Sequence, residues 1–216
     1  VPDVVYQVRD VVHRYRTPSG EVTAVKNATF DIPDDGLTVL AGPSGSGKST
    51  LLRILGILER PTSGAVSLHG NDTVVLSERA RRSLRRRVHL VFQNPVDNLF
   101  GYLTVRDNLR AAAQLAGAPE PDISLLDRLG LPGTADWAIS ALSGGQQQRL
   151  AFLAALAAGA QVVLADEPTS QLDSKSAELV IETLLDLVKL GVTVVVASHD
   201  DAVLDVAARV FRLGER

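Results

Sequence analysis

Apolar residues recur at alternate positions through residues 4–12 and again through 22–32, with Thr17, Pro18, Ser19 and Gly20 between the two runs. The pattern predicts two antiparallel strands joined by a turn. Leu37–Ala41 is a short, mostly apolar run leading into a glycine-rich turn, and Leu51, Leu52, Leu55 and Leu58 follow at helical spacing over residues 48–58. Strand, loop and helix therefore succeed one another. An edge strand is expected over 65–68, a polar arginine-rich helix around 78–87 and a strand over 88–92. From 105 to 158 the spacing is helical, broken by Gly117-Ala118-Pro119, Pro132-Gly133 and Ser143-Gly144-Gly145, which predicts a helical lobe. The last third alternates again: strand Val162–Asp166, helix 175–190, strand Thr193–Ser198, helix 200–207 and strand 210–213. Continuous Val and Leu runs between helices predict a parallel sheet covered on both faces.

Composition narrows the class. The 216 residues are 45% hydrophobic and 22% charged, ordinary values for a folded chain able to bury one large core and a small lobe. A formal net charge of -3 offers no overall attraction to nucleic acid or anionic lipid. The one basic cluster, Arg79, Arg81, Arg82, Arg85, Arg86 and Arg87, reads as a solvated helix or one facing a membrane protein. Without cysteine, disulfides, thiolate metal sites and cysteine nucleophiles are excluded, and a cytosolic compartment is expected. The most apolar stretch, 150–160, is well short of the ~18–20 residues that span a bilayer. No internal repeat, heptad array or low-complexity linker interrupts the chain.

Three segments carry chemistry. Gly42, Pro43, Ser44, Gly45, Ser46, Gly47, Lys48, Ser49 and Thr50 fit GxxxxGK[ST] between a predicted strand and a predicted helix. Glycines let successive backbone N–H groups converge on phosphate oxygens, and the helix dipole adds favourable potential. Lys48 is expected on the β- and γ-phosphates of a nucleotide and Ser49 on Mg²⁺, which prefers oxygen ligands. Asp166 and Glu167 emerge at the end of a buried strand, the edge of a parallel sheet where ligands bind. Asp166 suits Mg²⁺ through water, and Glu167 suits polarisation of the attacking water. His199 ends another buried strand and is expected within reach of the γ-phosphate.

Leu142-Ser143-Gly144-Gly145-Gln146, placed before a helix that begins Gln147-Gln148-Arg149, resembles the signature of the ABC ATPases. A serine hydroxyl and bare glycine amides at a helix N-terminus form a second anion site. The resemblance covers nearly the whole chain, from Tyr6 to Leu213, and implies an α/β fold: a P-loop NTPase parallel-sheet core with an N-terminal antiparallel β-subdomain and an inserted α-helical subdomain. Core residues would be 1–92 and 160–216, and the helical subdomain about 93–159. It implies that Ser143, Gly144, Gly145 and Gln146 serve the nucleotide of a second ATPase subunit, so that a head-to-tail dimer, expected to be a homodimer, sandwiches two ATPs. It also implies that Gln93 contacts Mg²⁺ and couples core to lobe, that Tyr15 stacks on adenine, and that Asp173 lies at the dimer interface. A membrane permease is the implied partner, at the cytoplasmic face, with no nucleic acid. Gln171 and Ala154 depart from the residues common in the family, the latter replacing a helix arginine, and no regulatory extension is expected after Leu213. The expected permease contact lies near residues 93–102, Leu99 and Phe100 serving either as its seat or as part of the lobe's core. Leu103-Thr104-Val105 is similar to the lipoprotein-release and macrolide-export branch, and residues 94–100 to energy-coupling-factor importers, so transport direction stays open. A nucleic-acid-directed ABC ATPase and a nucleotide-gated module without hydrolysis are the rival classes.

Overall fold

The computed structural model describes residues 3–18 and 20–214; Ser19 of the expected turn lies outside them. Strands β1 (Val4–Thr17) and β2 (Gly20–Pro33) pair antiparallel, Val8 opposite Phe30 and Tyr15 opposite Val22. On the other side of β1 lies β4 (Ser63–Leu68), and the two-residue β5 (Asn71–Asp72) completes a sheet ordered β2-β1-β4-β5. The strand expected at the edge is thus interior. Its outer edge is partly covered because the chain reverses at once through Asn71, whose side chain donates back to the carbonyls of Leu68 and His69.

The second sheet is parallel and ordered β6-β7-β8-β3-β9, from Val88–Val91, Val162–Asp166, Thr193–Ser198, Leu37–Ala41 and Arg209–Arg212 respectively. Alternation along these strands sends neighbours to opposite faces. Leu40, Leu164 and Val195 join Leu51, Leu52 and Leu55 of α1 (Lys48–Leu55), with the antiparallel sheet behind them. Val39, Val163, Val194 and Val196 join α6 (Ser174–Lys189) and one face of α5 (Gly144–Ala157) on the other side. Both faces are covered, as the continuous apolar runs require.

Helix α1 stops earlier than its leucine spacing suggests. Gly56 caps it and Ile57 turns to φ 58°, leaving Leu58 47% exposed. The carbonyl of Ile57 meets the arginine that departs furthest from the expected solvated face of α2 (Glu78–Arg85). Arg81 is only 3% exposed, and its guanidinium donates to Ile57 O at 2.9 Å and Thr73 O at 3.0 Å. Arg81 is an interior tie between α2 and the end of α1.

A third apolar cluster joins α3 (Val105–Ala116), α4 (Leu125–Arg128) and the second face of α5, with Val105, Leu109, Leu131, Leu150 and Leu153 at its centre. Helix α5 is therefore apolar all round because it is packed on two sides. Ala154 faces this cluster at 8% exposure, and nothing in the structure explains its replacement of an arginine. Leu99 packs against both the lobe and the sheet, whereas Phe100 is half-buried. The last helix, α7 (Asp201–Asp205), is shorter than predicted. No helix among the described residues is long and apolar enough to cross a membrane.

Candidate active site

Strands β3, β8 and β7 lie side by side, so their carboxyl ends deliver the Gly42–Thr50 turn, His199 and the Asp166-Glu167 pair to one edge. Between them is a cavity of about 420 Å³ whose wall includes residues 44–50, Gln93, Glu167, Ser170 and His199. Gly47 is demanded by the backbone: φ is 95°, and an added Cβ would lie 2.1 Å from the carbonyl oxygen of Ala24 in β2. The turn is thus pressed against the antiparallel sheet, which holds its amides in place.

Lys48 is 6% exposed, and its ammonium donates to Gly42 O at 2.7 Å and Pro43 O at 3.2 Å while lying 3.2 Å from Glu167 Oε1. A buried ammonium is tolerable because every contact is an oxygen and one is a carboxylate. Ser46 Oγ is buried in the same turn with no hydrogen-bond partner, an open position at the cradle wall. Ser49 Oγ donates to Asp166 Oδ1 at 2.9 Å. Burial pushes the Asp166 carboxyl above the usual carboxylate range, and the bond from Ser49 opposes that shift.

Glu167 adopts φ 46°, a left-handed conformation uncommon for a non-glycine residue. Its amide donates to Ala197 O of β8 at 2.9 Å, and Ser170 donates twice to its carbonyl, from N at 3.2 Å and Oγ at 2.9 Å. These bonds hold the carboxylate where both oxygens lie 3.0 Å from His199 Nδ1. Gln93 Nε2 donates to Ser170 Oγ at 3.1 Å, which ties the end of β6 to the turn after β7. Ser170 and its double role were not legible in the sequence, where a serine in a turn has no distinguishing signal.

Tyr15 is half-buried next to Thr50 of the cradle and does not line the cavity. Its hydroxyl donates to Glu59 Oε2 at 2.7 Å and lies 3.4 Å from Thr50 Oγ1, and its ring meets His13 edge to face at 4.6 Å. The signature residues Ser143, Gly144, Gly145 and Gln146 stand outside the cavity at the start of α5. Ser143 Oγ accepts from Gln146 N at 3.3 Å, and Gln146 Oε1 accepts from Ser143 N at 2.9 Å, a complete capping box. Asp173 caps α6 by accepting from Ser176 N and Oγ at 3.0 and 2.7 Å, which holds its carboxyl below the usual range. A Cβ at Gly145 would lie 3.0 Å from Ser176 Cβ, so the Asp173 turn and the signature turn are packed together. Behind them the buried Arg149 donates to Gly130 O at 2.6 Å and Gly145 O at 3.4 Å, a link the sequence did not reveal.

A family model described as ABC transporter matches residues 25–170. The chain is 37% identical to the methionine import ATP-binding protein MetN of Geobacillus kaustophilus (strain HTA426), covering 89% of this chain and 58% of that protein. It is 38% identical to the macrolide export ATP-binding/permease protein MacB of Escherichia coli O157:H7, covering 96% of this chain and 33% of that protein. The chain therefore spans only part of the length of these curated relatives. The dimeric ATP-binding cassette MJ0796, solved in a post-hydrolysis state bound to ADP and Pi, superposes with TM-score 0.81 at 33% identity, covering 96% of this chain and 94% of that one. The cassette cbiO1 from Clostridium perfringens, part of the transporter complex cbiONQ, gives TM-score 0.80 at 27% identity, with 98% and 85% covered. Phosphate turn, paired strand-end acids and signature turn occur on this fold together, and the chain belongs to the ABC transporter family.

Proposed function

We propose that the chain is the ATP-binding and ATP-hydrolysing subunit of an ABC transporter, pairing head to tail with a second copy around two Mg²⁺-ATP and driving a separate membrane permease from the cytoplasmic face. The carrying observation is the convergence of Lys48, Asp166, Glu167 and His199 on one phosphate cradle. An entering γ-phosphate exchanges with Glu167 as the partner of the Lys48 ammonium, which frees the carboxylate to accept a proton from water. That water forms the new oxygen–phosphorus bond as the bond to the β-phosphate oxygen breaks and ADP leaves. His199 holds Glu167 through Nδ1 and keeps Nε2 for a phosphate oxygen. Ser46 Oγ and the amides of residues 44–48 receive the remaining phosphate oxygens.

The donor set suits Mg²⁺. Ser49 Oγ and Asp166 Oδ1 are adjacent hard oxygens, and no cluster of three or more metal-ligating side chains is present among the described residues, the pattern of an ion that shares its shell with phosphates and water. Ser49, Asp166 and Gln93 would hold it, and it would neutralise charge on the phosphates.

Signature residues outside their own chain's cavity support service to a partner's nucleotide, as does the dimeric relative. Residues 93–159 are proposed to move as a helical subdomain, with Gln93 linked through Ser170 to the Glu167 carbonyl as the connection to nucleotide state. Tyr15 is proposed as the adenine platform, its hydroxyl anchored by Glu59. Relatives of nearly equal identity serve import in one case and export in another, so the engine is common to both directions. A nucleic-acid role loses ground with Arg81 inside the protein and Arg85 half-buried. Glu167→Gln is expected to bind ATP with wild-type affinity while phosphate release falls about 10²–10⁴-fold. Turnover at the wild-type rate in that variant would remove Glu167 from the mechanism.

A further inference from the structure

The turn after β7 carries Glu167 and the turn after β8 carries His199. Glu167 and His199 bridge these turns at the surface, where the imidazole is 68% exposed and held by little packing of its own. Thr169 and Asp200 bridge them again farther in. The Thr169 hydroxyl, on a residue only 4% exposed, donates to Asp200 Oδ2 at 2.7 Å. A short bond from a buried hydroxyl to a carboxylate is among the stronger side-chain contacts. Helix capping does not account for it. Asp200 caps α7 through Oδ1, which accepts from Ala202 N at 3.0 Å, and its amide donates to the buried Ser198 Oγ at 3.0 Å. Oδ2 is left for the neighbouring turn. That turn is internally braced, since Ser170 donates twice to the Glu167 carbonyl and Leu172 N donates to Thr169 O at 3.1 Å. A displacement of Thr169 is therefore passed on to Glu167.

Ionised Glu167 can only accept, so the hydrogen of the outer contact sits on His199 Nδ1. We propose that Thr169 and Asp200 are positioning residues, whose hydroxyl-to-carboxylate bond sets the separation of the two turns and thereby holds His199 Nδ1 on Glu167 and the imidazole at the wall of the phosphate cavity. The inference rests on the reading of Glu167 and His199 as the hydrolytic pair and adds the residues that keep them together. Neither Thr169 nor Asp200 lines the cavity, so their effect falls on the hydrolytic step and not on contact with the nucleotide. Small displacements suffice, because a reacting group misplaced by about 1 Å loses on the order of 10²-fold in rate.

The test uses the full chain with its histidine ring nitrogens isotope-labelled. Thr169→Val keeps the buried volume and removes the hydroxyl, whereas Thr169→Ser retains a hydroxyl. Asp200→Ser keeps a cap on α7 but is too short to reach Thr169. In Thr169→Val and in Asp200→Ser, kcat for ATP is expected to fall about 10–10²-fold with KM and ATP affinity near wild type, and the hydrogen-bonded Nδ1–H signal of His199 should be lost. Thr169→Ser should keep both rate and signal. The double variant Thr169→Val, Asp200→Ser should lose no more than either alone, because both substitutions remove the same bond. Retained ATP affinity shows a folded chain, and should Thr169→Val not fold, Asp200→Ser decides alone. Wild-type kcat in either folded variant, an unchanged Nδ1–H signal, additive losses, or a fall in ATP affinity that matches the fall in rate would each overturn the proposal. Wild-type turnover in Glu167→Gln would instead remove the hydrolytic pair on which it rests.

Discussion

The turn at residues 42–50 opens α1 and the turn at Ser143 opens α5, and each sets serine and glycine at a helix N-terminus where free N–H groups point outward. At α1 no side chain caps the helix, Ser46 Oγ is unpartnered, and a buried lysine faces the Glu167 carboxylate. At α5 the capping box satisfies serine and glutamine against one another, and the nearby cation, Arg149, is spent on the carbonyls of Gly145 and Gly130 behind the turn. An anion site with open donors and its own cation binds ligand within one chain. A site already capped, with only a hydroxyl proton and glycine amides to offer, adds to a ligand that another chain holds.

The largest effect separates the two turns by complementation. Lys48→Ala should lose ATP binding, and Ser143→Arg should keep it while blocking the neighbour's nucleotide, each lowering turnover about 10²-fold or more. Mixed together they form heterodimers with one intact composite site, and phosphate release should reappear. A mixture as inactive as its parts would break the head-to-tail arrangement.

Glycine substitution sharpens the contrast. Gly47→Ala forces a Cβ onto Ala24 O at φ 95° and should cost roughly 3 kcal/mol or more of stability, read as a shift in denaturant midpoint. Gly144→Ala meets nothing closer than Leu172 at 3.6 Å and should change stability by no more than about 0.5 kcal/mol. It should nevertheless lower dimer-dependent turnover about tenfold, a loss that belongs to the partner's phosphate. Melting curves and steady-state rates on the two variants test whether one glycine serves the fold and the other the interface.

The pH dependence carries the smallest effect. Asp166 is held above the ordinary aspartate value of 3.8, so its proton returns at higher pH than that of an exposed aspartate as the solution is acidified. Mg²⁺-dependent ATP binding should decline correspondingly early, whereas Asp173, shifted down, stays ionised. The stability sign is opposite to that of a paired carboxylate: a raised folded-state value favours folding below the unfolded value and loses that contribution as pH rises. Asp166→Asn should therefore melt at or above the wild-type temperature at neutral pH while binding Mg²⁺-ATP less well. A lower melting temperature would show that ionised Asp166 stabilises the fold.

Residue order alone sufficed for the strands Leu37–Ala41, Val162–Asp166 and Thr193–Ser198 and for the residues that end them, because a short, mostly apolar run bounded by glycine, acid or histidine has few other ways to be buried. The GxxxxGK[ST] turn was equally legible, since its function is a backbone conformation written in glycines. Pairings between distant segments were not. Arg81 reads as one more solvated arginine until Ile57 turns its carbonyl inward 24 residues earlier in the chain. Glu59 under Tyr15, Ser170 under Gln93 and Arg149 under Gly130 are ordinary polar residues whose roles depend on where other elements come to rest. The left-handed backbone at Glu167 and its contact with Lys48 likewise arise from packing β7 beside β8 and placing the β3 turn across the end. Local periodicity encodes what a segment becomes, but a hydrogen bond across the sheet is decided only when burial brings both groups out of water in the same place.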